Sequence, residues 1–178
     1  MKKNVFIFGL SLIFIFCASN NQVNYGFVQY IADNKNKIYL YIVNEDASEN
    51  FSKNFGVYGE NIFNEDGSLH VFYHIPDGNK LFKVTHFNNS FEEIFLRYIV
   101  LHDEATHIGL NISKIESIKI NDNILVTCFL DSEGSKIFKE FTSNNIGNFI
   151  AIVINGKIIA LALVLFPLEN TINFNINY

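Results

Sequence analysis

Short apolar runs, rich in aromatic and β-branched residues, alternate with polar turn clusters through the first half of the chain. This alternation predicts an antiparallel β meander over residues 20–90, with loop at the polar stretch 44–54. The apolar runs lie at 25–32, 37–43, 68–75 and 80–87.

The second half contains one clear helical pattern. Asp131 is a suitable N-cap, and Ile137, Phe138 and Phe141 then form a single apolar stripe at helical spacing. Gly147 follows the stripe and suits a left-handed position near the helix end. We therefore predict one main helix here.

The apolar stretch 149–166 is interrupted only by Asn155, Gly156 and Lys157. Asn-Gly strongly favours a type I′ hairpin turn, so we predict two strands, 150–154 and 158–166, rather than a membrane-spanning helix. The second strand is apolar on both faces, so both must be covered: one by the predicted helix, the other by the meander or by a partner. The side chains of this strand that we predict to bind a partner are Leu161, Leu163 and Phe166.

The N-terminus resembles a secretory leader. Two lysines precede an apolar run at 5–16, and small residues follow it, which predicts a signal peptide over 1–19. An uncleaved membrane anchor is the alternative. A lipoprotein leader over 1–16 would instead leave an acylated Cys17, although Phe16 is bulky for the preceding position.

Composition limits the partners. The chain has 178 residues, of which 49% are hydrophobic and 17% charged, with a net charge of −5. These values exclude a disordered chain, and the acidic balance with a single arginine, Arg97, argues against nucleic-acid binding. Removing the leader would remove two lysines and make the chain more acidic. An acidic chain is not attracted to a membrane by its charge, so we expect membrane attachment only through a lipid at Cys17 or an uncleaved leader.

Candidate catalytic groups are sparse. His102 and His107 are five residues apart, which does not match the i, i+4 spacing of a helical zinc pair, and we predict a solvated acidic loop there. Cys128 lies in an apolar run and is predicted to be a buried small hydrophobe. We therefore predict no enzyme activity, no cofactor and no metal site.

Three motifs carry a resemblance to a known family. Residues 130–138 resemble its L-x-x-E-G-A-x-x-F run, 141–147 its T-x-x-N-I/V-G run, and 151–159 its A-I-V-L-D-G-K-V-I run. The family is the head part of the first periplasmic domain of SecD and SecDF, and the resemblance covers about residues 91–178. The matching positions, which we expect to be structural, are Glu133, Gly134, Phe138, Asn145, Gly147, Asn155, Gly156 and Pro167.

The resemblance implies an α+β fold class: after the meander, a small SecD-head-like module with one main helix and a C-terminal β-hairpin. It also implies a bacterial envelope protein, periplasmic or membrane-anchored, whose head contacts unfolded polypeptide. The sequence departs from the family at Ala160-Leu161-Ala162, which is more apolar, and at Asn155, where the family has aspartate. SecD continues into transmembrane helices, so we do not expect a translocase subunit of that type.

Three functional hypotheses follow. The first is an exported, non-catalytic accessory protein that binds polypeptide or another envelope component. The second is a structural or surface lipoprotein with no role in export. The third, less favoured because no nucleophile is paired with a base, is a small secreted hydrolase.

Overall fold

The computed structural model describes residues 14–17, 23–55, 62–66, 68–87, 93–120 and 123–177. Its helices are α1 (Val23–Asp33), α2 (Glu45–Phe55) and α3 (Ser132–Ser143). Its strands are β1 (Phe14–Cys17), β2 (Ile38–Val43), β3 (Asn79–Phe87), β4 (Glu93–His107), β5 (Ile112–Ile120), β6 (Asn123–Leu130), β7 (Phe149–Ile154), β8 (Lys157–Leu163) and β9 (Thr171–Asn177).

The described strands form two sheets. The larger has the order β3-β4-β2-β7-β8, and the smaller has the order β1-β9-β6-β5. Every pair is antiparallel except β1 with β9. The predicted α+β class is confirmed, with antiparallel strands in the N-terminal region and a C-terminal hairpin. β2 lies between β4 and β7, so the N-terminal region contributes a central strand to the larger sheet.

The main core lies between the two sheets and is closed by α1 and α3. Ile31 of α1, Leu40 of β2, Phe138 of α3 and Phe174 of β9 are almost completely removed from solvent. Fully burying one such side chain stabilises the fold by roughly 1.5–3 kcal/mol. The core therefore holds the N-terminal helix, both sheets and the main helix together.

The two edge strands of the larger sheet, β3 and β8, contact each other, which shows that the sheet is curled. The concave face contains a second apolar cluster that includes Tyr41, Ile99 and Leu101, with Phe82 and Leu161 packed against it. β8 is thus covered on both faces, as its sequence requires. α3 helps to cover one face, and the N-terminal strands help to cover the other.

A β-bulge in β8 changes which side chains share a face. Val153 pairs with Ile158 but Ile152 pairs with Ala160, so Ile159 is the additional residue. Ile159 packs in the main core with Ala160, whereas Leu161 faces the concave cluster. A strictly alternating strand would place Ile159 and Leu161 on one face, and the bulge separates them.

Two N-terminal segments are helices rather than the predicted strand and loop. Residues 25–32 lie in α1, whose Ile31 enters the main core and whose Phe27 ring meets the Phe174 ring edge-on at 5.6 Å. Residues 45–54 lie in α2, where Asn44 Oδ1 accepts a hydrogen bond from the Ala47 N–H at 3.0 Å. Burial of an apolar face on each helix overrides the local composition.

The predicted main helix and hairpin are confirmed. Asp131 is the N-cap of α3, and its Oδ1 accepts a hydrogen bond from the Gly134 N–H at 2.7 Å. Gly147 has φ +87°, and the hairpin turn has φ +50° at Asn155 and +77° at Gly156. These positive angles are those that Gly and Asn adopt most readily.

The predicted leader falls partly outside the described residues, which include only 14–17 of the first 22 positions. There, β1 pairs with β9 in parallel, with Cys17 opposite Asn177. The predicted loop around His102 and His107 is instead the end of strand β4, although the residues at 102–105 are exposed. Among the described helices, none has the length and apolar character needed to cross a bilayer.

Candidate functional site

An exposed apolar surface lies at the open end of the β7–β8 hairpin, and we call it the apolar rim. Phe149, the first residue of β7, pairs across the ladder with Leu163, the last residue of β8. Each rim side chain is between 37% and 63% exposed. The rim consists of Ile146, Phe149, Leu163, Leu165 and Phe166.

Backbone hydrogen bonds join the two sides of the rim. The Gly147 N–H donates to the Val164 carbonyl at 2.8 Å, and the Val164 N–H donates to the Asn148 carbonyl at 3.0 Å. The turn after α3 is fixed in addition by Asn145, whose Nδ2 donates to the Phe141 carbonyl at 2.7 Å. The rim is therefore built on ordered backbone.

Thr142 attaches the segment after β8 to α3. It is completely buried, and its Oγ1 accepts a hydrogen bond from the Leu168 N–H at 2.8 Å while donating to the Phe138 carbonyl at 2.8 Å. Lys139 and Glu169 form an exposed ion pair at 3.2 Å across the same junction. Because exposed pairs contribute little, we assign the attachment mainly to Thr142.

Beside the rim lies a cleft of about 430 Å³, between α2 and the larger sheet. Its apolar floor includes Val43, Ile99 and Leu161, and Phe149 belongs to both the cleft and the rim. The helix contributes polar side chains at helical spacing along one wall. These are Glu45, Ser48, Glu49 and Ser52.

The cleft carries charge of both signs. Arg97 of β4 lines the cleft together with the carboxylates of Glu45 and Glu49, and Glu49 is paired with Lys53 on the same helix. Ser48 is engaged in the fold, since its Oγ accepts from the Val100 N–H at 2.9 Å. Tyr98 also borders the cleft, but its ring packs in the buried cluster beneath α2 against Phe51 and Phe63, and burial raises the pKa of its phenol.

The structure places all three predicted binding residues at this end of the molecule. Leu161 is half-buried in the cleft, while Leu163 and Phe166 are exposed on the rim. Phe149 and Arg97 were missed from sequence. The bulge in β8 brings Phe149 opposite Leu163, and only the tertiary fold brings Arg97 to the cleft.

Three of the family-motif positions, Asn145, Gly147 and Pro167, flank the rim, and the others lie away from it. Gly134 is buried against Asn111, and a Cβ at Gly134 would overlap the Asn111 side chain. Phe138 lies in the main core, and Asn155 and Gly156 form the turn at the opposite end of the hairpin. Glu133 is exposed in the first turn of α3, and Pro167 is exposed between β8 and β9.

The groups considered for catalysis do not form a site. Cys128 is 1% exposed, and burial raises the pKa of its thiol to about 12, so it remains a neutral thiol. The His107 ring lies 4.9 Å from the Tyr39 ring. In the part of the chain that the structure describes, no three His, Cys, Asp or Glu residues are grouped so as to hold a metal ion.

Residues 89–176, just under half of the chain, match the family described as SecDF, P1 head subdomain. This part of the chain is similar to the SecDF P1 head subdomain. The resemblance stated from the sequence motifs is thereby confirmed. The match includes β4 to β8, α3, nearly all of β9 and the whole rim, together with Ile99 and Leu161 of the cleft floor.

Two solved structures are similar to the chain at 14% identity, each with a TM-score of 0.41 over 87% of this chain. One is the membrane component SecDF that enhances protein export, and the other is SecDF in a super-membrane-facing form. This chain spans 61% of the length of the first and 18% of the second. No curated protein matches the sequence.

Proposed function

We propose that this is an exported, non-catalytic envelope protein whose head-like module binds extended polypeptide at the apolar rim and the adjoining cleft. The observation that carries the proposal is the rim itself. Phe149, Leu163 and Phe166 are large apolar side chains held exposed on ordered backbone, beside a cleft with an apolar floor. Exposed apolar surface of this kind is typical of an interaction site.

The chemistry of the cleft suits a peptide segment. Apolar side chains of an extended segment would contact Leu161 and Phe149 on the floor. The Glu45 and Glu49 carboxylates on the α2 wall accept hydrogen bonds from peptide N–H groups, and the Arg97 guanidinium donates to peptide carbonyls. Because main-chain groups are common to all sequences, we expect affinity for many unfolded polypeptides.

The wider context is part of the same proposal. We propose that residues 1–19 direct export and that the protein acts outside the cytoplasm, either free or held at the membrane through Cys17. We also propose residues 91–178 as the head-like module, with 20–90 as a preceding region. The similarity of 89–176 to the SecDF P1 head supports an export-related role.

Site-specific photo-crosslinking in cells tests the proposal. A photoreactive residue is introduced singly at Leu161, Leu163 and Phe166, with Ile118 as the matched control. Ile118 is 58% exposed on β5 of the smaller sheet, outside the rim. We expect crosslinks to exported polypeptides from the three test positions and few from Ile118.

Crosslinks confined to the chain itself, or equal yields from Ile118, would contradict polypeptide binding at the rim. A single recurrent crosslinked envelope protein would instead favour an accessory that binds one envelope component, and an absence of crosslinks to exported polypeptides would favour the structural lipoprotein. The two outcomes separate the accessory function from the structural lipoprotein that the sequence leaves open.

A further inference from the structure

A second exposed apolar feature lies outside the region that matches the SecDF head. Val71 and Phe72 are 89% and 83% exposed, which makes them the most exposed large apolar side chains described. They occupy the two central positions of a tight turn, which the Tyr73 N–H closes by donating to the His70 carbonyl at 2.9 Å. We call Val71 and Phe72 the turn tip.

The turn tip is held firmly by the residues on either side of it. The His70 N–H donates to the carbonyl of Ile62, a fully buried residue, at 3.0 Å. The Tyr73 ring lies 6.2 Å from the ring of Phe51, which is buried on α2. The backbone is thus fixed on both sides while two apolar side chains project into solvent.

The shape of the turn tip suits a lipid bilayer better than a protein surface. A specific protein interface buries about 800 Å² on each partner, far more than two side chains on a convex turn provide. Apolar side chains that project from a peripheral protein can instead insert into the boundary between headgroups and acyl chains. Insertion removes Val71 and Phe72 from water without requiring a complementary pocket.

Charge indicates which lipid surface fits. Residues 62–80 include the acidic side chains Glu65, Asp66 and Asp77 against one lysine, Lys80, with His70 and His74 near the tip, so the segment carries a net negative charge with its histidines neutral. Anionic headgroups would therefore repel this segment rather than attract it. A zwitterionic or uncharged surface is the one that an acidic segment with an apolar tip can approach.

We propose that the Val71–Phe72 turn is a membrane-contact site that inserts both side chains into the interface of a zwitterionic bilayer. Contact through one turn is weak and reversible, because stable attachment needs a second signal such as an acyl chain or an apolar leader. The turn then serves to orient the protein on the membrane.

A tryptophan reporter tests this in the full chain, which contains no tryptophan of its own. The Phe72→Trp variant is mixed with phosphatidylcholine vesicles while emission wavelength and quenching by aqueous iodide are followed. We expect a shift of the emission to shorter wavelength and a loss of iodide quenching. Circular dichroism checks that the substitution, at an exposed position, leaves the fold intact.

Phe166→Trp is the matched control, because Phe166 is an exposed phenylalanine on the apolar rim. Its emission should not change with vesicles, even if the leader itself binds lipid. Adding phosphatidylglycerol should reduce the shift at position 72. The proposal is overturned if the Phe72→Trp reporter remains open to iodide, if both reporters respond equally, or if unfolded polypeptide without vesicles produces the shift.

Discussion

Replacing Thr142 by valine tests how α3 fixes the segment that carries Leu165 and Phe166. The substitution keeps the shape of the side chain but removes the only acceptor that the structure gives to the Leu168 N–H, at 2.8 Å. The Phe138 carbonyl loses its hydrogen bond from the Thr142 hydroxyl but still accepts the backbone hydrogen bond of the helix, so it is not left without a partner. Leaving a fully buried N–H unsatisfied costs about 1–3 kcal/mol, and this N–H is part-buried, so we expect the free energy of unfolding to fall by about 1 kcal/mol.

Urea unfolding measures the change in stability, and amide hydrogen exchange at Leu168 identifies its cause. Thr142→Ser is the control, because it keeps the hydroxyl and loses one methyl group. We expect the Leu168 amide to remain protected in Thr142→Ser and to exchange faster in Thr142→Val. A valine variant that is as stable as the parent, with the amide still protected, would refute this account of the attachment.

Three further predictions concern the helix cap, the hairpin turn and the buried thiol. Asp131→Ala should lower thermal stability by about 1 kcal/mol through loss of the N-cap, and Asp131→Asn should retain most of it. Gly156→Ala should lower the free energy of unfolding by about 1–2 kcal/mol, because φ at this position is +77°. Gly26→Ala is the control in the same urea assay. Gly26 is exposed in α1 with open space for a Cβ, so this substitution should be neutral or stabilising. In a Cys17→Ser background, Cys128 should react with a thiol reagent only after unfolding. The pKa of the Cys128 thiol is raised from 9.0 to about 12, so the thiol ionises more readily in the unfolded chain than in the folded protein. This group should therefore leave stability unaffected below pH 9 and lower it as the pH rises toward 12. The fall should be absent in Cys128→Ala.

Local signals in the sequence were sufficient for α3 and the C-terminal hairpin. The Asp131 cap, the apolar stripe with Phe138 and the Asn155-Gly156 turn each act within a few residues, and the structure retains all of them. Such elements are predictable because local preference and tertiary packing agree there.

The two N-terminal helices show where composition misled. The aromatic and β-branched residues of 25–32 favour a strand, but Phe27, Tyr30 and Ile31 also have helical spacing, and burial of Ile31 decides the outcome. The sequence of α2 also contains helix signals: Asn44 is a suitable N-cap, and the buried residues Ala47 and Phe51 have i, i+4 spacing. The polar residues around them favoured the loop prediction.

The candidate site was predictable only in part. Leu161, Leu163 and Phe166 stood out because the strand is apolar on both faces. Without the bulge at Ile159, a two-residue hairpin would place Phe149 opposite Ala162, whereas the structure pairs it with Leu163. Neither the bulge nor the approach of α2 to Arg97 has a local signal, because both depend on contacts between distant segments.

The central claim, that the apolar rim binds unfolded polypeptide, is tested most directly by affinity measurements on matched double variants. The full chain, Leu163→Ser/Phe166→Ser and Ile118→Ser/Ile120→Ser are compared for binding to a permanently unfolded, fluorescently labelled polypeptide. Both pairs remove two exposed apolar side chains, but the second pair lies on β5. We predict that the first pair weakens binding about tenfold and that the second leaves it unchanged. Leu163 and Phe166 are 39% and 42% exposed, so burying the exposed part of both is worth about 1–2 kcal/mol in total. Equal affinity for all three proteins would contradict the account.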